Sequence, residues 1–171
     1  MTPVEAWLRG PVAGVPPLLQ PIAHALIQAR DEVSAIAATI PDDLLWVCPA
    51  GAASAGFHLQ HLTGVVDRLF TYARGEQLTS AQQAALDAEG TPPTSPCNAA
   101  TLSHLFDAQV ESALAQLRAT PVGELTSACV VGRRKLPSTV IGLLMHAAEH
   151  TTRHVGQLLV TARVVAVQAT P

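Results

Sequence analysis

Of the chain's seven histidines, four are spaced so that they can act together. His150 and His154 are four residues apart, and His58 and His61 are three apart. On a helix either spacing places both side chains on one face. Neutral imidazole nitrogens ligate divalent metals, and a pair one turn apart can offer two of them to a single ion. At ~100° per residue, His150 and His154 fall at the centre of a stripe with Leu143, Ala147, Leu158 and Thr161. Burying two imidazoles there costs free energy unless their nitrogens find partners, and a shared ion would supply one. His58 and His61 share a second stripe with Leu62, Val65, Leu69 and Tyr72. Either could complete a three-histidine site, and spacing alone does not choose between them. His146, one turn before His150, forms a competing pair with it. His24 and His104 project ~160–180° away from their apolar stripes and are expected in solvent.

Four helices must carry these residues. The first opens on Pro16 and Pro17, repeats Leu18, Ile22, Leu26, Ala29, Val33 and Ile36 at helical spacing, and stops before Pro41. The second runs from about Ser54, a candidate cap, to Arg74, with Gly75 placed for the left-handed position beyond its end. Between them Leu44, Leu45 and Trp46 are expected to tuck under the helices. The third covers about Asn98 to Ala119, with Leu102, Leu105, Phe106, Val110, Ala113 and Leu117 inward. Pro137 and Ser138 are expected to open the fourth, which reaches about Val167. A polar helical patch around Ser80 to Leu86 and a turn-rich run, Gly90 to Pro96, separate the second helix from the third, a length that implies a crossover. The first fifteen residues mix Pro3, Gly10, Pro11 and Gly14 with Trp7 and Leu8 and read as an arm. The expectation is an all-α four-helix bundle with a long crossover between its second and third helices, as a single domain over residues 1–171.

Composition agrees. The 171 residues are 49% apolar, 13% charged and only 4% aromatic, which excludes disorder and favours packed helices over strands. Ten basic against thirteen acidic side chains give a net charge of -3, without the basic excess that nucleic-acid binding requires. Cys48, Cys97 and Cys129 are far apart, with no Cys-x-x-Cys, so neither a disulfide framework nor a thiolate zinc site is expected and a reducing cytoplasm fits. No apolar run approaches the ~18 residues of a membrane span, and no secretory leader is read at the N-terminus.

Two segments carry a family resemblance: His58-Leu-Gln-His61-Leu-Thr-Gly-Val-Val-Asp-Arg68 in the second predicted helix, and His150-Thr-Thr-Arg-His154-Val-Gly-Gln157 in the fourth. Together they resemble the DinB-like (DinB/YfiT) superfamily of metalloenzymes, over nearly the whole chain. The resemblance implies a four-helix bundle, a homodimer, and a divalent metal such as zinc, nickel or iron. It also implies the ligands, His61 from the second helix with His150 and His154 from the fourth, leaving His58 and His146 as neighbours of the site. Gln157 would bond a ligand ring or the substrate. Three imidazoles leave positions open for water or substrate, as catalytic sites do. The activity implied is transfer to or from a low-molecular-weight thiol, or hydrolysis, on a small-molecule substrate. The rival reading is a metal-binding or stress-response dimer without turnover.

Other motifs offer less. There is no His-Glu-x-x-His and no Gly-x-Ser-x-Gly, which disfavours a metallopeptidase or a serine nucleophile. Asp67 and Arg68 read as a surface charge pair, and the resemblance offers the alternative that Arg68 faces the site or the dimer partner. Arg133, Arg134 and Lys135 read as a solvated loop, and Tyr72 as core.

Overall fold

The computed structural model describes residues 4–95 and 97–168. Pro3 of the arm and Pro96 of the crossover lie outside the described residues.

Four long helices form the core: α1 (Gln20–Ala37), α2 (Ala55–Ala73), α4 (Ala99–Ala119) and α5 (Val140–Gln168), with the short α3 (Ser80–Asp87) in the crossover. Helices α1 and α2 each pack against both α4 and α5. This is the four-helix arrangement expected, and the core it encloses is aliphatic. Leu19, Ile22, Leu26 and Val33 of the first segment meet Leu59, Leu62 and Val66 of α2, Phe106, Val110 and Leu117 of α4, and Leu144 and Leu158 of α5, all fully buried or nearly so.

Local chemistry sets the boundaries. Pro17 begins a short 3-10 turn, Pro17–Leu19, and α1 proper starts at Gln20. The Ser54 side chain caps α2, accepting from the Phe57 N–H at 3.1 Å. Leu45 is buried, and its carbonyl accepts from the Gly56 N–H at 2.8 Å. The Trp46 ring lies where a Cβ on Gly56 would come within 2.5 Å of it, so the linker can seat against α2 only because residue 56 has no side chain. Gly75 takes the left-handed conformation, φ 76°, that ends α2. Thr79 and Gln82 form a reciprocal capping box on α3, and Asn98 caps α4 through the Thr101 N–H at 2.8 Å.

Two expectations need correction. Pro137 and Ser138 do not open the last helix. They belong to β2 (Leu136–Thr139), which pairs antiparallel with β1 (Ala128–Val131), with Val130 opposite Pro137. Cys129, Val130 and Val131 suit a strand, Gly132 and Lys135 adopt positive φ in the turn, and a proline is tolerated in a hairpin with two edges. The α5 helix therefore starts at Val140, where the Thr139 hydroxyl accepts from Gly142 N–H at 3.1 Å and the Ser127 and Leu125 carbonyls accept from Val140 and Ile141. Leu105 is exposed rather than inward. The buried row of α4 passes through Leu102, Phe106, Val110, Ala113, Leu114 and Leu117. Arg133, Arg134 and Lys135 sit exposed at the hairpin tip, and Tyr72 is buried, both as expected.

Candidate metal centre

Helices α2 and α5 lie against each other, so their histidine-bearing faces meet inside the protein. One ligand nitrogen from each of His61, His150 and His154 lies within 4.8 Å of the others, the geometry of three donors around one cation. His61 Nε2 stands 2.9 Å from His150 Nε2. The ring centroids of His61 and His154 are 4.4 Å apart, and those of His150 and His154 are 4.6 Å apart. The three rings expected as ligands are thus brought together.

His58 and His146 take different places. His58, 4% exposed, puts its Nδ1 3.1 Å from His154 Nδ1 and so sits behind that ring. His146 is exposed, 5.3 Å from His150 between ring centroids and 3.5 Å from the Glu149 carboxylate. His104 is exposed as expected. His24 is not simply solvated: it is half-buried, and a ring nitrogen is 3.0 Å from the Gly10 carbonyl, because the N-terminal arm folds back over α1.

Burial and crowding favour the neutral form of His58, His150 and His154. Burial, reinforced by the neighbouring His61, lowers the His58 pKa to about 4. Burial and the other three histidines lower His154 to about 4 as well. Burial, then His61, pushes His150 down. Neutral imidazoles retain the lone pairs a metal needs. His150 Nδ1 is buried without a hydrogen-bond partner among the described residues. The site therefore carries an unmet polar cost in the bare protein, as a cluster built around a ligand would.

Three residues at the site have no signal in the sequence pattern. Glu89, at the end of the α3 segment, accepts from His61 Nδ1–H at 2.7 Å and from Arg68 at 2.6 Å. Burial alone would raise its pKa, but the hydrogen bonds from His61 and Arg68 hold it below the usual carboxylate range. Phe57 stacks on His61 with ring centroids 5.2 Å apart and 11° between planes, and also meets His58 and His154. Gly64 lies under the Arg68–Glu89 pair. The surface reading of Asp67 and Arg68 is thereby corrected. Arg68 is 8% exposed and turned toward the site through Glu89, while Asp67 accepts from Gln82 at 2.9 Å.

These residues fit a family. A model of the DinB superfamily matches residues 25–158, a span that contains all four clustered histidines. The chain belongs to the DinB superfamily. No curated protein matches it.

For this DinB-superfamily chain, a cavity of about 570 Å³ opens beside the cluster, lined by Phe57, His58, Arg153, His154, Gln157 and Val160 among others. Its size suits a small molecule. Gln157 lies exposed on that wall, and the Nδ1 of His154 is met by His58 instead. Arg153 is paired with Glu149, one turn earlier. A cavity of about 560 Å³ between the arm, α1 and α5 is lined by Trp7, His24, Gln28 and Glu32 but gathers no comparable cluster.

Proposed function

We propose that the protein is a divalent-metal-dependent enzyme in which His61, His150 and His154 hold one ion and the adjoining cavity receives a small-molecule substrate. The observation that carries this reading is the convergence of three imidazoles from α2 and α5 within 4.8 Å, beside an open cavity. The donor set fits. It is all nitrogen and uncharged, it suits zinc, nickel or ferrous iron, and three protein donors leave room for an exchangeable water or substrate atom. When bound, such an ion supplies Lewis-acid activation of a thiol, water or carbonyl. The chain's own residues do the rest. Phe57 shields one face of His61, His58 backs His154, and Ala52, Ala53 and Val160 give the cavity a small apolar part of its wall. Transfer to or from a low-molecular-weight thiol, or hydrolysis, is the class of reaction proposed, in a cytoplasmic homodimer. Among the described residues no helix is long and apolar enough to cross a membrane.

Elemental analysis of untagged protein, before and after dialysis against a chelator, tests the reading. About one divalent ion per chain, recovered on adding zinc or nickel back, is expected. Metal-dependent turnover in thiol-transfer and hydrolysis screens is expected to follow. Less than about a tenth of an equivalent, unchanged by adding metal, would overturn it. A full equivalent with no exchangeable solvent on the ion would favour the non-catalytic metal-binding dimer.

A further inference from the structure

The crossover between α2 and α4 brings one carboxylate to the histidine cluster. Its helix α3 has no buried residue, so it is not held by an apolar face. Instead it is tied to α2 by polar contacts: Gln82 donates to Asp67 at 2.9 Å and to the Thr71 hydroxyl at 2.8 Å. Gly90 N–H donates to Gln60 at 2.7 Å, and Gln60 donates back to the Thr91 carbonyl at 3.2 Å. Between these tethers sits Glu89. One oxygen accepts from His61 Nδ1, the other from Arg68, and the carboxylate side chain is 9% exposed.

Gly64 is an independent sign that this pair is built in. A Cβ at that position would overlap the Arg68 guanidinium and come within 2.5 Å of Glu89 Oε1. A glycine in the middle of a helix is unfavourable by ~1 kcal/mol relative to alanine, and here its missing side chain is the space in which the ion pair lies.

We infer that Glu89, anchored by Arg68 in the space over Gly64, is a positioning residue that fixes His61 as its Nδ1–H tautomer and leaves the Nε2 lone pair facing His150. The chemistry is direct. A carboxylate can only accept, so Nδ1 must carry the proton, and a neutral imidazole has one proton to place. Nε2, 2.9 Å from His150 Nε2, is then the bare nitrogen. A carboxylate on the far nitrogen also raises the basicity of the ligand nitrogen and stops the ring from turning. The effect on metal affinity rests on the metal reading above, whereas the tautomer does not.

Two measurements separate them. In metal-free protein, nitrogen-15 NMR of the histidine rings is expected to show His61 protonated at Nδ1. In Glu89→Ala the ring should shift to the Nε2–H form or a mixture, and in Glu89→Gln, whose amide oxygen still accepts, it should keep the native tautomer. Competition of zinc against a chromogenic chelator is expected to show binding weakened ~10–100-fold in Glu89→Ala, weakened in the same direction by Gly64→Ala, and partly restored in Glu89→Gln. An unchanged His61 tautomer in folded Glu89→Ala, or zinc affinity within threefold of the native protein's, would overturn the inference. If the native protein takes up no zinc while the tautomer still follows residue 89, the clamp stands and the metal reading fails. Circular dichroism establishes that each variant is folded, and Gly64→Ala, whose Cβ would displace the Arg68–Glu89 pair, carries the test should Glu89→Ala not fold.

Discussion

Crowding and burial penalise a charge on the clustered imidazoles of His58, His150 and His154. Burial first, then the neighbouring His61, drives both His58 and His154 down to about 4, with His150 and His58 adding to the shift at His154. An unfolded histidine titrates near ~6.5, so between roughly 4 and 6.5 the unfolded chain binds more protons than the folded one. Stability from these groups is then full above about pH 6.5 and is lost as pH falls toward 4. Glu89, held below the usual carboxylate range, adds loss of the same sign at lower pH. Thermal unfolding of chelator-treated protein should show a melting temperature that falls steadily through this window, and His58→Gln should flatten the fall. Equal slopes in the two proteins would count against buried neutral histidine as the cause. A second prediction concerns the proposed ligands. Alanine at His61, His150 or His154 should each cut bound metal several-fold or more, while alanine at exposed His104 should leave it intact. His58→Ala should weaken binding less than any of the three, because His58 touches His154 rather than the shared centre. A loss as large for His104 as for the three would discredit the assignment.

At the scale of elements, the start of α2 fixes the depth at which His58 and His61 enter the core. Ser54 is 3% exposed and its hydroxyl satisfies the Phe57 N–H, so Ser54→Ala should cost about 1 kcal/mol, read as a lowered denaturation midpoint. Gly56→Ala should cost about 1–3 kcal/mol by overpacking, since Trp46 occupies the space a Cβ would need. A change under about 0.3 kcal/mol at residue 56 would mean that the linker packs otherwise. What was legible in the sequence divides along the same lines. The long helices announced themselves because Ile22, Leu26 and Val33, or Leu102, Phe106 and Val110, repeat at helical spacing, and the histidines of α2 and α5 stood out as polar residues on apolar stripes. Glu89 left no such trace. It lies beside Gly90 in a turn-rich segment, and its role comes from a contact with His61 28 positions away that no local period encodes. Arg68 was visible only as half of a charge pair, because an adjacent Asp67 is the obvious partner until the crossover folds over both. The β-hairpin was missed for a related reason. Pro137 and Ser138 are good helix openers locally, but pairing with Cys129 and Val130 claims them first.

Across the whole molecule, the histidine cluster lies on the α2–α5 contact and joins two helices that the chain connects only through the crossover, α4 and the hairpin. An ion bound there contacts both helices at once and has no equivalent site once they separate. Metal binding is therefore folding free energy. With free zinc at a hundred times its dissociation constant, the native state gains about 2.7 kcal/mol. For a chain of this size each kcal/mol moves the melting temperature by about 2–4 °C, so the expected rise on saturation is about 5–10 °C over chelator-treated protein. The rise should continue with the logarithm of free metal and should disappear in His61→Ala, whose α5 histidines remain but which loses the metal donor proposed from α2. If that variant gained as much as the native protein, the stabilisation would come from the i,i+4 pair within α5 alone, and the ion would not join the two helices. Persistence of the rise in His104→Ala, together with its loss in His61→Ala, ties the stability of the four-helix core to the site between its helices.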